Sequence, residues 1–269
     1  MARKKRIHVE TDAWGTIEVF DRGDERFLSF GDGDEQSCIV SATPHTPPLD
    51  YIRAMLLPLL YGRPKDALLL GLGAGSLATA LHRAYKSMTL RAVELRPAVI
   101  DVAQRFFSLP QSPRLELIAA DACDYLLQLA AQTEPRATDL ILCDLYNADG
   151  MEPRTFDADF IEACGKLLGD KGWLVINCWD EHREDSDIFR HLSDHFAEIY
   201  TCTVSTGNWL LFASRKQNKF SQKQLLERCA KVSEKLEYNL GEYLALMYEI
   251  YRGPEPFDIA PNDAECASS

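Results

Sequence analysis

Short apolar runs alternate with amphipathic stretches through the middle of the chain. Residues 67–70 form an unbroken apolar run, which is typical of a strand buried on both faces of a parallel sheet. Five later runs have the same character and predict strands at residues 88–93, 115–119, 140–143, 173–177 and 209–213. Helical spacing between them predicts helices at residues 76–83, 97–107, 123–131, 157–168 and 188–196. This alternation predicts an α/β fold built on a doubly wound parallel sheet.

The N-terminal part of the chain has a different pattern. Residues 14–20, 26–30 and 36–40 are short and rich in β-forming residues, and glycine and aspartate separate them. They predict a small β-rich annex. Residues 49–60 then predict a linking helix that ends near Gly62.

The C-terminal part of the chain is polar, with apolar residues at helical spacing. Residues 221–251 carry an apolar side chain every three or four positions, which predicts one helix with an apolar face. The predicted organisation is therefore an annex with its linking helix over residues 1–62, a Rossmann-like domain over 63–214, and a helix with a loose tail over 215–269.

Composition narrows the class of protein. Of the 269 residues, 46% are hydrophobic and 26% are charged, which is ordinary for a globular chain. No apolar run approaches the roughly 20 residues that a membrane helix needs, so no membrane partner is expected. The net charge of −12 would repel a polyanion, so nucleic acid is not an expected partner either. We expect the basic residues 3–6 to form a frayed, solubilising terminus, without the apolar segment of a signal peptide.

The cysteines and histidines point to a reduced protein without a metal. The eight cysteines form no C-x-x-C pair, and several lie inside apolar runs, where a free thiol acts as a small hydrophobe. With no secretion signal visible, we expect a reduced, cytoplasmic protein. His191 and His195 share the i, i+4 spacing of a helical metal site, but the sequence offers no third ligand. We therefore expect no bound metal.

The strongest chemical signal is a glycine loop directly after the first buried strand. Gly71, Gly73 and Gly75 lie where the backbone must turn sharply and where a ligand can touch the main chain. Glu94 ends the second strand, 19 residues after Gly75, and can accept hydrogen bonds from both ribose hydroxyls. Asp121 follows the third strand, where an acid can meet an adenine amino group. These positions at the carboxyl ends of successive strands predict a nucleoside site.

Two further features refine this prediction: the glycine spacing within the loop and the acid that ends the fourth strand. The loop reads G-x-G-x-G, which is the pattern of S-adenosylmethionine-binding domains and differs from the G-x-G-x-x-G of dinucleotide sites. Asp144 ends the fourth strand and would point into the same cleft. A carboxylate there can orient an amine nucleophile or take its proton. The alternative is a loop acid that caps a helix. Trp179 and Asp180, after the fifth strand, can reach the same region.

From about Trp14 to Ser214 the chain resembles the spermidine synthase family, the polyamine aminopropyltransferases. The family's G-G-G-D-G-G loop aligns with residues 71–76, and its catalytic D-S-S-D-P-x-G segment aligns with residues 144–150. The resemblance implies a Rossmann-like domain of the S-adenosylmethionine-dependent methyltransferase fold with an N-terminal β annex. It also implies decarboxylated S-adenosylmethionine as the usual donor, a small-molecule acceptor and a homodimer.

The resemblance assigns roles to residues of this chain. Glu94 and Asp121 match the family's ribose and adenine acids, and Asp144 matches its catalytic acid. The implied site is completed by donor contacts at Gln36 and Ala122 and by acceptor contacts at Tyr51, Tyr146 and Asn147.

Departures from the family pattern concentrate in the part that binds cations. Ala74 replaces the aspartate that faces the donor's ammonium, and Asn147 replaces the aspartate that grips the polyamine. Ile52 and Arg53 follow Tyr51 where the family has a histidine or glutamine and then a glutamate, and Arg53 would repel a polyamine if it faced inward. An aspartate at position 74 would repel the carboxylate of intact S-adenosylmethionine, and alanine removes that bar.

Three hypotheses follow from the sequence. The first is aminopropyl transfer from a decarboxylated S-adenosylmethionine donor to an amine acceptor, with Asp144 as the catalytic acid. The second is methyl transfer from intact S-adenosylmethionine to a small molecule. The third is a dimeric protein that binds a nucleoside without catalysis.

Overall fold

A computed structural model describes residues 3–31, 35–147, 150–184 and 186–252. The N-terminal annex is a four-stranded antiparallel sheet in the order β1-β2-β3-β4. Its strands are β1 (Lys5–Asp12), β2 (Gly15–Arg22), β3 (Glu25–Ser29) and β4 (Ser37–Val40). The expectation of a frayed N-terminus is wrong from Lys5 onwards, because Lys5 and Arg6 pair with β2 and the Arg6 guanidinium lies 2.7 Å from the Glu18 carboxylate.

The main domain is an eight-stranded sheet in the order β14-β12-β13-β11-β8-β5-β6-β7. Its strands are β5 (Asp66–Leu70), β6 (Thr89–Glu94), β7 (Leu115–Ala119), β8 (Thr138–Cys143), β11 (Leu168–Trp179), β12 (Glu198–Thr203), β13 (Asn208–Ser214) and β14 (Met247–Arg252). The five strands from β11 to β7 run parallel, and β13, β12 and β14 add antiparallel pairs. The predicted α/β sheet is confirmed. A separate two-stranded ribbon joins β9 (Tyr146–Asn147) to β10 (Gly150–Met151).

Helices connect the strands and cover both faces of the sheet. They are α1 (Asp50–Ala54), α2 (Ser76–Ala84), α3 (Pro97–Phe106), α4 (Ala122–Ala130), α5 (Ala158–Leu167), α6 (Ser186–His195), α7 (Gln222–Leu236) and α8 (Gly241–Leu244). Every residue of β5 is buried, which explains its unbroken apolar run. The side chains of β5 alternate between two large apolar cores, one on each side of the sheet.

The linking helix is shorter than predicted. Helix α1 ends at Ala54, and a 3₁₀ turn follows at Leu57–Leu60. Pro58 has no backbone N–H to donate, so the α-helical hydrogen-bond ladder does not continue through it.

The prediction of one long C-terminal helix is wrong. Helix α7 ends at Leu236, and Glu237 adopts a left-handed conformation with φ of +62°. After the short α8, strand β14 pairs with β12 and forms the edge of the sheet. Pairing at a sheet edge satisfies backbone groups that a helix would otherwise satisfy within itself, so tertiary context outweighs the helical spacing. Residues 253–269, expected to be a loose tail, lie outside the described ranges.

Arg96 fastens the annex to the main domain. This buried guanidinium, in the loop between β6 and α3, donates to both carboxylate oxygens of Asp12 at 3.0 and 2.8 Å. It also donates to the carbonyl oxygen of Gly15 at 2.9 Å. The β1–β2 hairpin, which carries Trp14, is thereby held over the carboxyl ends of the parallel strands.

Candidate active site

Strand register brings the candidate residues to one edge of the sheet. Leu70 at the end of β5 pairs with Val93 of β6 on one side and with Cys143 of β8 on the other. The next main-chain groups continue this alignment. The Gly71 amide donates to the Val93 carbonyl oxygen at 2.9 Å, and the Asp144 amide donates to the Leu70 carbonyl oxygen at 2.8 Å. The glycine loop, Glu94 and Asp144 therefore lie side by side, as parallel strands require.

A cleft of about 510 Å³ opens above this edge, beneath the annex. Most of the residues that the sequence singled out line it: Gln36, Tyr51, Gly71, Gly73, Glu94, Asp121, Ala122, Asp144, Tyr146 and Trp179. Gly75 and Asp180 are not among its lining residues. Gly75 instead precedes α2 and faces Leu109, and Asp180 pairs with Arg183. The Asn147 side chain lies outside what the structure describes.

Gly71 approaches Asp144 more closely than any side chain would allow. Its φ is +93°, and a Cβ built on it would overlap the Asp144 carbonyl oxygen and lie 3.0 Å from the carbonyl carbon. Glycine avoids both the strain and the overlap. The glycine loop and the chain bearing the Asp144 carboxylate are thus coupled through main-chain packing.

Glu94 is held by backbone amides. Its carboxylate accepts hydrogen bonds from the Leu72 amide at 3.2 Å and from the Arg96 amide at 3.1 Å. Burial raises the pKa of Glu94 and outweighs these hydrogen bonds, which lower it. When ionised, the carboxylate has more lone pairs than these amides use, so it can also accept from the hydroxyl groups of a ribose.

Asp121 has two partners. One carboxylate oxygen caps α4 by accepting from the Asp124 amide at 2.9 Å, and the other pairs with Arg154 at 2.6 Å. Burial raises the pKa of Asp121, but the Asp124 amide and Arg154 outweigh it, so the pKa stays below its usual value. Arg154 also binds Glu152 at 2.9 Å. Arg154 was not predicted from the sequence, because an arginine in a short 3₁₀ helix, here Pro153–Phe156, carries no motif.

Asp144 lies within a network of neutral hydrogen-bond donors. Asn177 of β11 donates to one carboxylate oxygen at 2.8 Å, and the Tyr51 hydroxyl donates to the other at 3.3 Å. Asn208 of β13 donates to Asn177 Oδ1 at 3.0 Å and so fixes the orientation of that amide. Burial raises the pKa of Asp144, and the hydrogen bonds from Asn177 and Tyr51 only partly offset this. Sequence reasoning missed the role of Asn177, which carries no motif of its own.

Two departures from the family pattern have different consequences than expected. Ala74 is fully buried in an apolar cluster with Val19, Leu28 and Val102, and it does not line the cleft. Arg53 also turns away from the cleft: its guanidinium donates to the Pro47 carbonyl at 2.5 Å and lies over a tyrosine ring. Neither side chain therefore acts on a ligand's charge from the position it occupies.

Among the residues that the structure describes, no group of three or more histidine, cysteine, aspartate or glutamate side chains is arranged to hold a metal ion. None of the helices within the described ranges has the length and apolar character that crossing a membrane requires.

Similarity to solved structures defines the class of fold. The structure of human methyltransferase-like protein 13 in complex with SAH superimposes with a TM-score of 0.64 at 22% identity. The match covers 80% of this chain and 97% of that chain. The architecture is thus the S-adenosylmethionine-dependent methyltransferase fold with an additional N-terminal β annex.

Sequence comparison gives the family. A model of the spermine/spermidine synthase domain matches residues 53–224, so the chain belongs to the spermine/spermidine synthase family. A polyamine aminopropyltransferase from Chromobacterium violaceum is 29% identical over 246 residues, which cover 90% of this chain and 92% of that protein. The mouse eEF1A lysine and N-terminal methyltransferase is 30% identical over 179 residues, 63% of this chain and 25% of that protein.

Proposed function

We propose that the protein transfers an aminopropyl group from decarboxylated S-adenosylmethionine to an amine acceptor. The observation that carries this proposal is the convergence of Glu94, Asp121 and Asp144 on one cleft beside the glycine loop. Glu94 and Asp121 form the end suited to a nucleoside, and Asp144 forms the end suited to a nucleophile. Family membership supports the same reaction class.

The charge of the cleft favours the decarboxylated donor. Its lining includes five carboxylates, those of Glu35, Glu94, Asp121, Asp144 and Glu152, against the two guanidinium groups of Arg96 and Arg154. The formal excess is three negative charges. Decarboxylated S-adenosylmethionine carries a sulfonium and an ammonium, whereas the intact donor also carries a carboxylate. A cleft of this sign attracts the dication more strongly.

Each residue in the proposed mechanism has a defined task. The main chain at Gly71 and Gly73 allows close approach of the donor, Glu94 accepts the ribose hydroxyls, and Asp121 accepts from the adenine amino group. Gln36 and Ala122 complete the donor contacts, while Tyr51, Tyr146 and Asn147 border the acceptor.

Asp144 is the proposed base. It accepts a proton from the acceptor's ammonium, and its raised pKa brings it nearer to the range in which a general base is effective. The freed amine lone pair attacks the aminopropyl carbon next to sulfur. The carbon–nitrogen bond forms as the carbon–sulfur bond breaks, and the bonding electrons remain on a neutral thioether, methylthioadenosine. The main contribution of the protein is to hold the acceptor amine and the aminopropyl carbon close together in the orientation that the reaction needs.

Methyl transfer from intact S-adenosylmethionine is the second candidate. It is favoured by the similarity to the mouse methyltransferase and by the solved structure of methyltransferase-like protein 13. Ala74, which suggested this reaction from sequence, does not discriminate between the donors because its side chain is outside the cleft.

Calorimetric titration with the two donors, side by side, tests the proposal. We expect at least tenfold tighter binding of the decarboxylated donor, which is about 1.4 kcal/mol. Incubation with an amine should then release methylthioadenosine. Preference for the intact donor, with release of S-adenosylhomocysteine, would assign methyl transfer instead. Binding without either product would indicate a nucleoside-binding protein, and binding of neither donor would refute the nucleoside site.

The variant Asp144→Asn tests the catalytic assignment. We expect turnover to fall by about 10²–10⁴-fold, the usual contribution of a general base, with little change in donor affinity. Asp139→Asn is a matched control, because Asp139 lies near the opposite end of the same strand and accepts hydrogen bonds from the backbone amides of Lys65 and Asp66. Equal losses of turnover and donor affinity in Asp144→Asn would contradict the assignment.

A further inference from the structure

Two aromatic rings stand beside Asp144 in the cleft. The rings of Tyr146 and Trp179 lie 5.5 Å apart between centroids at an angle of 39°. Trp179 also packs against Gly150, where a built Cβ would be 3.5 Å from the indole ring. Even so, 42% of Trp179 remains exposed. A large aromatic surface is therefore available to a ligand at this end of the cleft.

The polar groups around these rings are already engaged with one another. The Tyr146 hydroxyl donates to the Asn177 carbonyl at 3.2 Å, and the Tyr51 hydroxyl donates to Asp144. The Asn177 amide is held between Asp144 and Asn208. What these residues offer to an acceptor is one carboxylate and the faces of aromatic rings.

The other carboxylates of the cleft are committed elsewhere. Glu35 pairs with Arg22 at 2.7 Å, and Asp121 and Glu152 both pair with Arg154. Glu94 is bound by backbone amides beside the glycine loop. Among the cleft residues that the structure describes, Asp144 is thus the carboxylate at this end that no cationic side chain neutralises.

We infer that the acceptor is a monoamine with an aromatic body, an arylalkylamine, whose amino group meets Asp144 and whose ring packs on Trp179 and Tyr146. This inference rests on the proposed aminopropyl transfer. A diamine brings a second ammonium, which must lose water and, among the cleft residues that the structure describes, finds no second uncommitted carboxylate at this end. An aromatic body instead gains offset or edge-to-face contact with two rings and buries the exposed indole.

The reaction is balanced for such an acceptor. Asp144 takes one proton from the ammonium, and the resulting amine forms a carbon–nitrogen bond with the aminopropyl carbon. The carbon–sulfur bond breaks, methylthioadenosine leaves, and the proton on Asp144 passes to water. The product is a secondary amine that carries both the aryl and the aminopropyl groups.

Initial rates of methylthioadenosine release test the inference. Decarboxylated S-adenosylmethionine is supplied with 2-phenylethylamine, with n-butylamine or with putrescine at the same pH. We expect kcat/KM for 2-phenylethylamine to exceed that for each aliphatic amine by about tenfold, the effect of burying one ring against aromatic neighbours. n-Butylamine separates the effect of the ring from that of a single amino group.

Variants at Trp179 locate the preference. Trp179→Ala should lose most of the tenfold preference and Trp179→Phe should keep most of it, with thermal unfolding measured to verify that both are folded. Tyr248→Ala is the control, because Tyr248 is 45% exposed but lies outside the cleft, so this variant should keep the preference.

The outcomes separate the two proposals. Putrescine or n-butylamine turned over as well as 2-phenylethylamine would overturn the acceptor inference and leave aminopropyl transfer intact. An aromatic preference that persists in Trp179→Ala would also overturn it. Failure of every amine to release methylthioadenosine would refute the proposed function, and the acceptor inference with it.

Discussion

Substitution of Gly71 by alanine tests whether the glycine loop and Asp144 are mechanically coupled. The φ of +93° at Gly71 is left-handed, and an L-residue there costs about 1–2 kcal/mol. The new Cβ would also overlap the Asp144 carbonyl oxygen. Restoring a normal carbon–oxygen contact requires the two main chains to separate by about 1 Å.

Gly71→Ala should have two measurable effects, one on stability and one on turnover. Overpacking of this kind adds about 1–3 kcal/mol to the backbone strain, so Gly71→Ala should lose about 2–5 kcal/mol of unfolding free energy. A displacement of about 1 Å at a reacting group can lower turnover by about 10²-fold. Urea denaturation measures the first effect, and the rate of methylthioadenosine release measures the second.

Gly207→Ala provides the matched control for strain without overlap. Gly207 has a φ of +87°, and a Cβ built on it meets no atom within 4 Å. Gly207→Ala should therefore lose about 1–2 kcal/mol of unfolding free energy, from backbone strain alone. If Gly71→Ala and Gly207→Ala were equally stable and Gly71→Ala kept full turnover, the coupling between the glycine loop and Asp144 would be refuted.

Two further predictions concern the nucleoside end of the cleft. Ribose hydroxyls need the ionised form of Glu94, and burial raises its pKa, so donor affinity should fall with decreasing pH earlier than for an ordinary glutamate at about 4.3. Calorimetry at a series of pH values should show this loss of donor affinity, while Glu94→Gln should bind the donor weakly at every pH. A wild-type affinity that does not change with pH would contradict the role of Glu94 in ribose binding. Arg154→Ala removes the ion pairs that join residues 153–156 to Asp121 and Asp124, so hydrogen exchange in this segment should accelerate. Arg105→Ala, which breaks an exposed pair with Asp101, is the control. Unchanged exchange in Arg154→Ala would contradict a role for its ion pairs in holding residues 153–156.

Local pattern was enough to predict the parallel sheet and the edge where the site lies. An unbroken apolar run needs burial on both faces, as β5 has, and a glycine loop after such a strand needs a ligand or a close neighbour. The antiparallel edge was harder to predict. Strands β12 and β14 were missed, because polar residues interrupt both of them and neither has a continuous apolar run.

The sequence by itself determined which main-chain positions converge, because parallel strands bring their carboxyl ends together whatever their side chains are. Only the tertiary structure decided what each side chain faces. Asp144 meets Asn177, 33 residues away, and Asp121 meets Arg154, also 33 residues away. Ala74, within the glycine loop itself, faces the annex and not the cleft. The physical reason is that hydrophobic periodicity records burial, whereas side-chain partners depend on packing between segments that are distant along the chain.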